Sequence, residues 1–123
     1  MAIHKILIVD DSPTERFYLT DILVRSGYTV AIAVNGEEAI DKIRAERPQL
    51  ILMDVVMPGA NGFQVTRAIA RDPELAAIPV IICSSKNQET DRIWGLRQGA
   101  RGYLVKPVDA DALLEKIASL SAL

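Results

Sequence analysis

Cysteine, histidine and tryptophan each occur once among the 123 residues of the chain. A lone cysteine cannot form an internal disulfide, and no cysteine/histidine cluster has the spacing of a zinc site. The 14 basic and 16 acidic residues leave a net charge of -2, without the basic excess typical of nucleic-acid binding proteins. No apolar run approaches the roughly 18 residues needed to cross a bilayer. These absences argue against a disulfide scaffold, a zinc module, a nucleic-acid binder and a membrane span.

The composition is that of an ordinary globular domain. Half of the residues are hydrophobic and 24% are charged, which argues against a disordered chain, and a length of 123 residues suits one domain. The first apolar stretch, residues 6–9, stops at Asp10 and Asp11 and is not a signal peptide. We expect residues 1–123 to form a single reduced domain in the cytoplasm, with no second module.

Five short apolar runs rich in isoleucine and valine recur along the chain. They lack a clean alternation of polar and apolar residues, which is typical of strands buried on both faces of a parallel sheet. The runs are residues 6–9, 28–34, 50–53, 80–83 and 103–105.

Segments with helical periodicity separate these runs. Residues 13–26 place Leu19, Ile22 and Leu23 on one side, and residues 109–120 repeat the pattern. The helix over residues 87–98 is the weakest prediction, because polar residues and a glycine interrupt it. Capping residues support the starts and stops of the helices. The predicted starts lie at Ser12, Asn35 and Asp109, and the predicted stops at Gly27 and Gly99.

The order strand, helix, repeated five times, predicts an α/β domain with a mostly parallel sheet and helices on both faces. In such sheets, ligands bind outside the carboxyl ends of the strands. The residues that directly follow the predicted strands are therefore the candidate functional residues. They are Asp10 and Asp11 after the first strand, Asp54 after the third, Ser84, Ser85 and Lys86 after the fourth, and Lys106 and Pro107 after the fifth.

Carboxylates held together repel one another, so they must bind protons or a cation. Oxygen ligands without imidazole or thiolate suit a hard ion such as Mg²⁺. A carboxylate can also attack phosphorus and form an aspartyl phosphate, while a metal, a lysine and a hydroxyl stabilise the phosphoryl oxygens. Asp54 stands alone at its strand end and is the candidate nucleophile, with Asp10 and Asp11 as metal ligands and Lys106 and Ser84 as phosphoryl contacts.

Most of these residues also have a structural interpretation. Asp11, followed by Ser12 and Pro13, fits a helix cap, and Lys106 with Pro107 fits an ordinary loop. Asp54 is harder to explain in this way, because an unpaired carboxylate within an apolar run is costly to bury. The joint occurrence of these residues at the predicted strand ends favours the functional interpretation.

At these residues the sequence resembles the response-regulator receiver family of two-component signalling. The matching segments follow the family's order and spacing over almost the whole chain. They are ILIVDD at residues 6–11, LMDVVMP at 52–58, Gly62, Ser84 and GYLVKP at 102–107. The resemblance implies a five-stranded doubly wound parallel sheet of order 2-1-3-4-5, as in flavodoxin-like and CheY-like folds.

The resemblance also implies a phosphoacceptor and a metal site. Asp54 would accept a phosphoryl group from a histidine kinase. Mg²⁺ would be bound by Asp11, Asp54 and the backbone carbonyl of Val56, with Asp10 helping, often through water. The chain would catalyse only its own phosphoryl transfer and dephosphorylation, and would not be an enzyme acting on other substrates.

The remaining matching positions are implied to be switch and phosphoryl-binding residues. Ser84 would be the switch hydroxyl, Tyr103 the aromatic that changes rotamer, and Lys106 the amine that binds the phosphoryl group. By the same analogy the peptide bond before Pro107 would be cis. The implied output surface is the face formed by helix 87–98, the fifth strand and helix 109–120, which would bind a separate protein partner.

Within the family, the sequence resembles the stand-alone regulators of type IV pilus twitching motility, through residues 10–15, 88–95 and 97–100. We expect a monomer or weak dimer that binds neither nucleic acid nor membrane. Some positions depart from the commonest receiver pattern. Ser84 replaces the more usual threonine, and Ser85 replaces the usual alanine or glycine. Val56 and Lys86 lie at positions that can affect how water reaches the phosphoryl group, so the lifetime of the phosphorylated state is left open.

Three other functions remain possible at this point. A phosphate sink would accept phosphoryl groups and lose them without binding an output target, and the sequence does not separate it from a messenger. A phosphatase with an aspartate nucleophile usually has a second aspartate two residues later, where this chain has Val56. A flavodoxin-like cofactor binder would need a phosphate-binding loop after the first strand, and none is present.

Three side chains receive structural interpretations. His4 lies at the wrong end of its strand for the site, and Cys83 fits a small core hydrophobe better than a redox sensor. Trp94 fits either a partner contact or a half-packed helix residue.

Overall fold

The computed structural model describes residues 2–121. Across this range five strands alternate with five helices. The strands are β1 (Lys5–Val9), β2 (Thr29–Ala33), β3 (Leu50–Met53), β4 (Val80–Ser84) and β5 (Gly102–Val105). The helices are α1 (Pro13–Arg25), α2 (Gly36–Glu46), α3 (Gly62–Arg71), α4 (Glu89–Arg97) and α5 (Ala110–Ser121).

All strand pairs are parallel, and the strand order is β2-β1-β3-β4-β5. The predicted fold class and strand order are therefore confirmed. Parallel strands must be joined by crossovers, and α1 to α4 each supply one of them, while α5 follows the last strand. The order reverses between β1 and β3, so the carboxyl ends of these two strands form the edge at which the fold places a ligand.

The three central strands β1, β3 and β4 are buried on both faces, as the unbroken apolar runs predict, whereas the edge strands β2 and β5 are partly exposed. Alternate residues of each strand face two separate core layers, because side chains alternate across a strand. On one side Ile6 and Ile8 pack with residues of α1 and α5, including Leu19 and Leu113. On the other side the strands pack against α2 and α3 through residues that include Leu7, Val9, Ile43, Val65 and Ile69.

The caps explain where the helices begin. The side chains of Ser12 and Asn35 accept hydrogen bonds from the first-turn N–H groups of α1 and α2, and Asp109 does the same before α5. Gly27 and Gly99 follow the last residues of α1 and α4 with φ of 93° and 109°, so both helix stops are confirmed.

Apart from β3, each element with predicted bounds differs from the structure by one or two residues at one or both ends, as β2 and α4 illustrate. β2 is one residue shorter at each end than residues 28–34; at its start, the N–H of Tyr28 bonds back to Leu23 at the end of α1, over 3.0 Å. α4 begins two residues later than residue 87, at Glu89, because Gln88 is its N-cap and donates to Asp91. None of the helices in residues 2–121 is both long and apolar enough to span a membrane.

Candidate functional site

Asp10 and Asp54 lie side by side at the carboxyl edge of the sheet. The N–H of Asp10 donates to the Ala33 carbonyl over 3.1 Å, and the N–H of Asp54 donates to the Val9 carbonyl over 2.9 Å. These bonds continue the parallel pairing one residue beyond β1 and β3, and so fix both backbones. Both aspartates are buried, with 7% of Asp54 exposed.

Lys106 reaches these two carboxylates from the end of β5. Its N–H donates to the Ser84 carbonyl over 2.9 Å, which fixes its backbone beside β4. Its Nζ lies 3.0 Å from Oδ2 of Asp10 and 3.1 Å from Oδ1 of Asp54. The peptide bond between Lys106 and Pro107 is cis. One ammonium group thus bridges two buried carboxylates that lie 52 and 96 residues before it in the sequence.

The electrostatics of this triad are unbalanced, because one cation faces two carboxylates. Burial is the main reason that the pKa of Asp54 is raised above its ordinary 3.8, and repulsion from Asp10 adds to it, while Lys106 acts in the opposite direction. Burial also disfavours the charged form of Lys106, but its bonds and attractions to Asp10 and Asp54 outweigh this and raise its pKa above 10.5. A further cation at this edge would relieve the imbalance.

Asp11 completes an acidic cluster with Asp10 and Asp54. One carboxylate oxygen from each lies within 4.8 Å of the others, and Asp11 is exposed where the other two are buried. The N–H of Ser12 donates to Oδ1 of Asp10 over 2.9 Å and so holds that carboxylate in place. Three carboxylates without imidazole or thiolate are the donor set of a hard divalent cation such as Mg²⁺, so the residues present fit this ion.

Ser84 and Tyr103 are connected through the backbone of Lys86. Ser84 is fully buried at the end of β4, and its Oγ accepts a hydrogen bond from the Lys86 N–H over 3.1 Å. The Tyr103 hydroxyl donates to the Lys86 carbonyl over 2.8 Å. A serine beside the carboxylates is therefore joined to an aromatic residue of β5.

A groove adjoins the site on the side of Val56. It has a volume of about 480 Å³. Val56, 60% exposed, and Trp94, 49% exposed, both line this groove. Lys86 also lines the groove and is exposed. Two of the positions at which this chain departs from the commonest receiver pattern, Val56 and Lys86, thus face the solvent in the groove beside the site.

Two glycines bring backbone unusually close to the site. A Cβ on Gly62, the first residue of α3, would lie 1.9 Å from the carbonyl oxygen of Asp54. A Cβ on Gly95 would lie 2.9 Å from Ile82 and 3.1 Å from the ring of Tyr103. Gly95 weakened the sequence prediction of α4, yet its small size is what lets α4 approach β4 and β5.

Sequence reasoning missed two residues of the first turn of α1. The Nη1 of Arg16 donates to the Asp10 carbonyl over 3.0 Å and so ties α1 to the site. Among residues 2–121, Oε2 of Glu15 is the buried side-chain oxygen without any hydrogen-bond partner. Their place one turn after Asp10 and Asp11 was the available clue, since the start of α1 follows the site directly.

The other side chains singled out in the sequence lie away from this chemistry. His4 is exposed at the start of β1, where its N–H donates to Gln49. Cys83 is buried in the core layer below α1 and α5, and burial raises the pKa of its thiol to about 12. A neutral buried thiol agrees with the core role expected for it.

Comparisons with known proteins agree with this geometry. Residues 6–118 match the response regulator receiver domain family. The chain is 54% identical to protein PilH of Pseudomonas aeruginosa, covering 96% of this chain and 98% of PilH. It is 39% identical to the chemotaxis protein CheY of Bacillus subtilis, covering 93% and 94% of the two chains.

Solved structures show the same fold. The chemotaxis protein CheY4 of Vibrio cholerae superimposes with a TM-score of 0.88 at 31% identity, covering 97% of this chain and 99% of CheY4. The response regulator domain of Thermotoga maritima CheB superimposes with a TM-score of 0.84, again at 31% identity, covering 98% of both chains. The resemblance noted in the sequence is thereby confirmed, and the chain belongs to the response regulator receiver domain family of two-component signalling.

Proposed function

We propose that Asp54 accepts a phosphoryl group from a histidine kinase in a Mg²⁺-dependent reaction and that the phosphorylated chain acts on a separate protein. The observation that carries this proposal is the bridge from Lys106 to both Asp10 and Asp54, next to the exposed Asp11. A lysine and three carboxylates at one sheet edge supply a nucleophile, a metal site and a cation for a phosphoryl oxygen.

In the proposed reaction, a carboxylate oxygen of Asp54 forms a bond to phosphorus as the phosphorus–nitrogen bond to the donor histidine breaks. The electron pair of that bond goes to the imidazole nitrogen, which then binds a proton from water. Lys106 releases Asp54 and binds a phosphoryl oxygen instead. Its ammonium group therefore stabilises the Asp54 carboxylate before the reaction and the phosphoryl group after it. Mg²⁺, when held by Asp10, Asp11, Asp54 and the Val56 carbonyl, would neutralise charge on the phosphoryl oxygens.

The signal would leave the site through Ser84. A phosphoryl oxygen attracts the Ser84 hydroxyl as a donor, which weakens the bond that Oγ accepts from Lys86. The Lys86 carbonyl holds the Tyr103 hydroxyl, so the position of the ring depends on this loop. Exposed apolar residues of α4 and β5 would contact the partner on the face formed by α4, β5 and α5. They are Ile93, Trp94, Leu96 and Val105.

We further propose that residues 1–123 work as one receiver domain, in the cytoplasm and as a monomer or weak dimer. The comparison with PilH supports the proposal of one receiver domain, because this chain covers 98% of PilH. Its similarity to this protein also supports a role in type IV pilus or chemotaxis-like signalling. The chain would have no enzymatic activity beyond its own phosphorylation and dephosphorylation.

Phosphorylation is tested by intact-mass spectrometry after incubation with acetyl phosphate and Mg²⁺. The parent protein should gain one phosphoryl group, and Asp54→Asn should gain none. Asp41→Asn, which changes an exposed aspartate of α2, should behave like the parent. Full phosphoryl uptake by Asp54→Asn would refute Asp54 as the acceptor.

A phosphate sink is the second candidate, because the same site accepts phosphoryl groups whether or not a target exists. Proteins captured by the beryllofluoride-bound and the free chain should differ when the chain is a messenger. Tyr103→Ala should abolish that difference and still take up acetyl phosphate. Identical capture by both forms, with phosphoryl uptake intact, would favour the sink.

A further inference from the structure

A second pocket lies between the ends of α3 and α4, away from Asp54. α3 begins at Gly62, which contacts the backbone of Asp54, and runs at about 1.5 Å per residue to Arg71. The pocket is therefore on the order of 10 Å farther along the helix. Its volume is about 350 Å³, and it is lined by Arg67, Ala70, Arg71, Arg97, Gln98 and Gly99.

Three of these residues are arginines without a counter-ion. Arg67 and Arg71 lie four residues apart and so share one face of α3, and Arg97 is the last residue of α4. Within the described part of the chain none of the three forms an ion pair or hydrogen bond through its guanidinium group, whereas Arg44 pairs with both Asp72 and Glu74. Three like charges around one pocket repel, and an anion would relieve that repulsion.

Gln98 is the second feature that points to a ligand. It is only 8% exposed, yet its side chain lines the pocket. Its backbone N–H bonds to Trp94 and Gly95, but its side-chain amide has no hydrogen bond to residues 2–121. The amide atoms are nevertheless open to solvent, because Oε2 of Glu15 is the one fully buried side-chain oxygen or nitrogen of residues 2–121 without a partner. The side-chain amide of Gln98 can therefore donate and accept hydrogen bonds to a ligand beside the three guanidinium groups.

The turn after α4 lines the pocket through Gly99. Gly99 has a φ of 109°, and a Cβ there would lie 2.7 Å from Cβ of Ala70. The backbone of this turn therefore lies close against α3, and both helices contribute residues to the pocket. Glycine is needed at this position both for its φ and for the close approach.

We propose that this pocket binds clustered phosphate groups, carried by a free phosphorylated molecule or by a lipid headgroup. Guanidinium groups bind phosphate oxygens in pairs and retain their charge, and three of them match a ligand of two or more negative charges. A volume of about 350 Å³ falls in the range of small-ligand sites. The pocket and the unpaired amide favour a small anionic group over an acidic protein surface, which would not reach Gln98. The proposal is independent of phosphorylation at Asp54.

The test is calorimetric titration of the full chain with inorganic pyrophosphate, without Mg²⁺, at low and moderate salt. The parent should bind one pyrophosphate per chain. Arg97→Gln should weaken binding at least tenfold, and Gln98→Met, which keeps the size but removes the amide, should weaken it severalfold. Arg47→Gln is the charge-matched control, because this exposed arginine lies outside the pocket. Lys106→Ala shows whether the anion binds instead at the carboxyl edge.

A second arm distinguishes the two sources of phosphate. Co-sedimentation with vesicles of phosphatidylcholine, with and without phosphatidylglycerol, tests the headgroup. Pyrophosphate binding that Arg97→Gln weakens and Arg47→Gln spares supports a free ligand, and the same pattern with anionic vesicles alone supports a lipid. Binding weakened equally by Arg47→Gln, lost in Lys106→Ala, or absent from both probes would overturn the proposal. Thermal melts of each variant establish that it is folded.

Discussion

Ser84 and Tyr103, on neighbouring strands β4 and β5, hold opposite ends of the same residue. The Lys86 N–H donates to Ser84 over 3.1 Å, and the Lys86 carbonyl accepts from Tyr103 over 2.8 Å. Neither side chain needs to touch the other for a change at one to alter the other. This connection gives the proposed switch a physical path of two hydrogen bonds and one backbone unit.

Tyr103→Phe tests that path, because it removes one of the two bonds and keeps the ring. A hydrogen bond of this kind contributes about 1 kcal/mol net, so the free energy of unfolding in urea should fall by about that amount. Phosphoryl uptake from acetyl phosphate should persist, since the acceptor and the lysine are unchanged. Tyr28→Phe is the control, as a half-buried tyrosine before β2. An equal loss of stability in both variants would show that the Lys86 bond contributes nothing.

Mg²⁺ should stabilise the chain through the acidic cluster. A ligand at 100 times its Kd contributes about 2.7 kcal/mol, which raises the Tm of a domain of this size by on the order of 10 °C. Asp11→Ala should remove most of this increase and leave the metal-free Tm nearly unchanged, because Asp11 is exposed. Differential scanning calorimetry over a Mg²⁺ series measures both. A full Mg²⁺ response in Asp11→Ala would exclude that carboxylate as a ligand.

Titration of Asp54 should make the free energy of unfolding of the metal-free chain depend on pH. Its folded pKa is raised above 3.8 by burial and by Asp10, so the folded state keeps a proton that the unfolded state has already lost. Stability from this group is therefore present at low pH and is lost as pH rises from 3.8 through the folded pKa. Lys106, whose folded pKa is raised above 10.5, contributes a constant amount throughout that window.

Asp54→Asn removes the titrating group and keeps the shape. The variant should gain stability relative to the parent as pH rises through this window, and by neutral pH the gain should be on the order of 1 kcal/mol. Urea unfolding at several pH values in EDTA measures the difference. A difference that does not depend on pH would contradict the raised pKa, and Asp41→Asn should show no such trend.

The sequence predicted the fold and the centre of the site for one reason. Strand runs such as residues 50–53 are unbroken and buried, and the chemistry begins at the next residue, Asp54, so locating the strand ends also located the site. β3 is predicted to the residue, and the weakest helix, α4, is off by two residues at its start and one at its end. Local pattern was enough wherever the function follows directly from a strand end.

What the sequence did not predict depends on contacts between distant segments. Gly95 appeared to be a flaw in a helix, because only the packed fold shows that Tyr103 leaves no space for a side chain there. The pocket between Arg67 and Arg97 was not predicted, since nothing in a single sequence shows that two helix ends meet there. These features arise from tertiary packing, which periodicity and capping do not encode.

Gly62→Ala should be far more disruptive than an alanine substitution at a loop glycine. The new Cβ would lie 1.9 Å from the Asp54 carbonyl oxygen, so α3 or the phosphoacceptor backbone must move. We expect a loss of more than roughly 3 kcal/mol in unfolding free energy, with impaired phosphoryl uptake. Gly27→Ala is the control: nothing lies within 4 Å of its Cβ, but its φ of 93° leaves a strain of roughly 1–2 kcal/mol. Similar losses in both variants would show that the close approach at Gly62 is unimportant.

Cys83 should report unfolding and not redox conditions. It is 2% exposed, and burial raises its pKa to about 12, so at pH 8 roughly one thiol in ten thousand is ionised in the folded chain. With the only cysteine inside β4, reaction with a disulfide reagent must wait for opening of the sheet. The rate in native buffer should therefore be independent of reagent concentration at high reagent, rise with urea, and fall when Mg²⁺ is added. Unfolded chain should react at once with one equivalent, and equally fast reaction of the native chain would mean that the thiol is accessible and reactive in the fold.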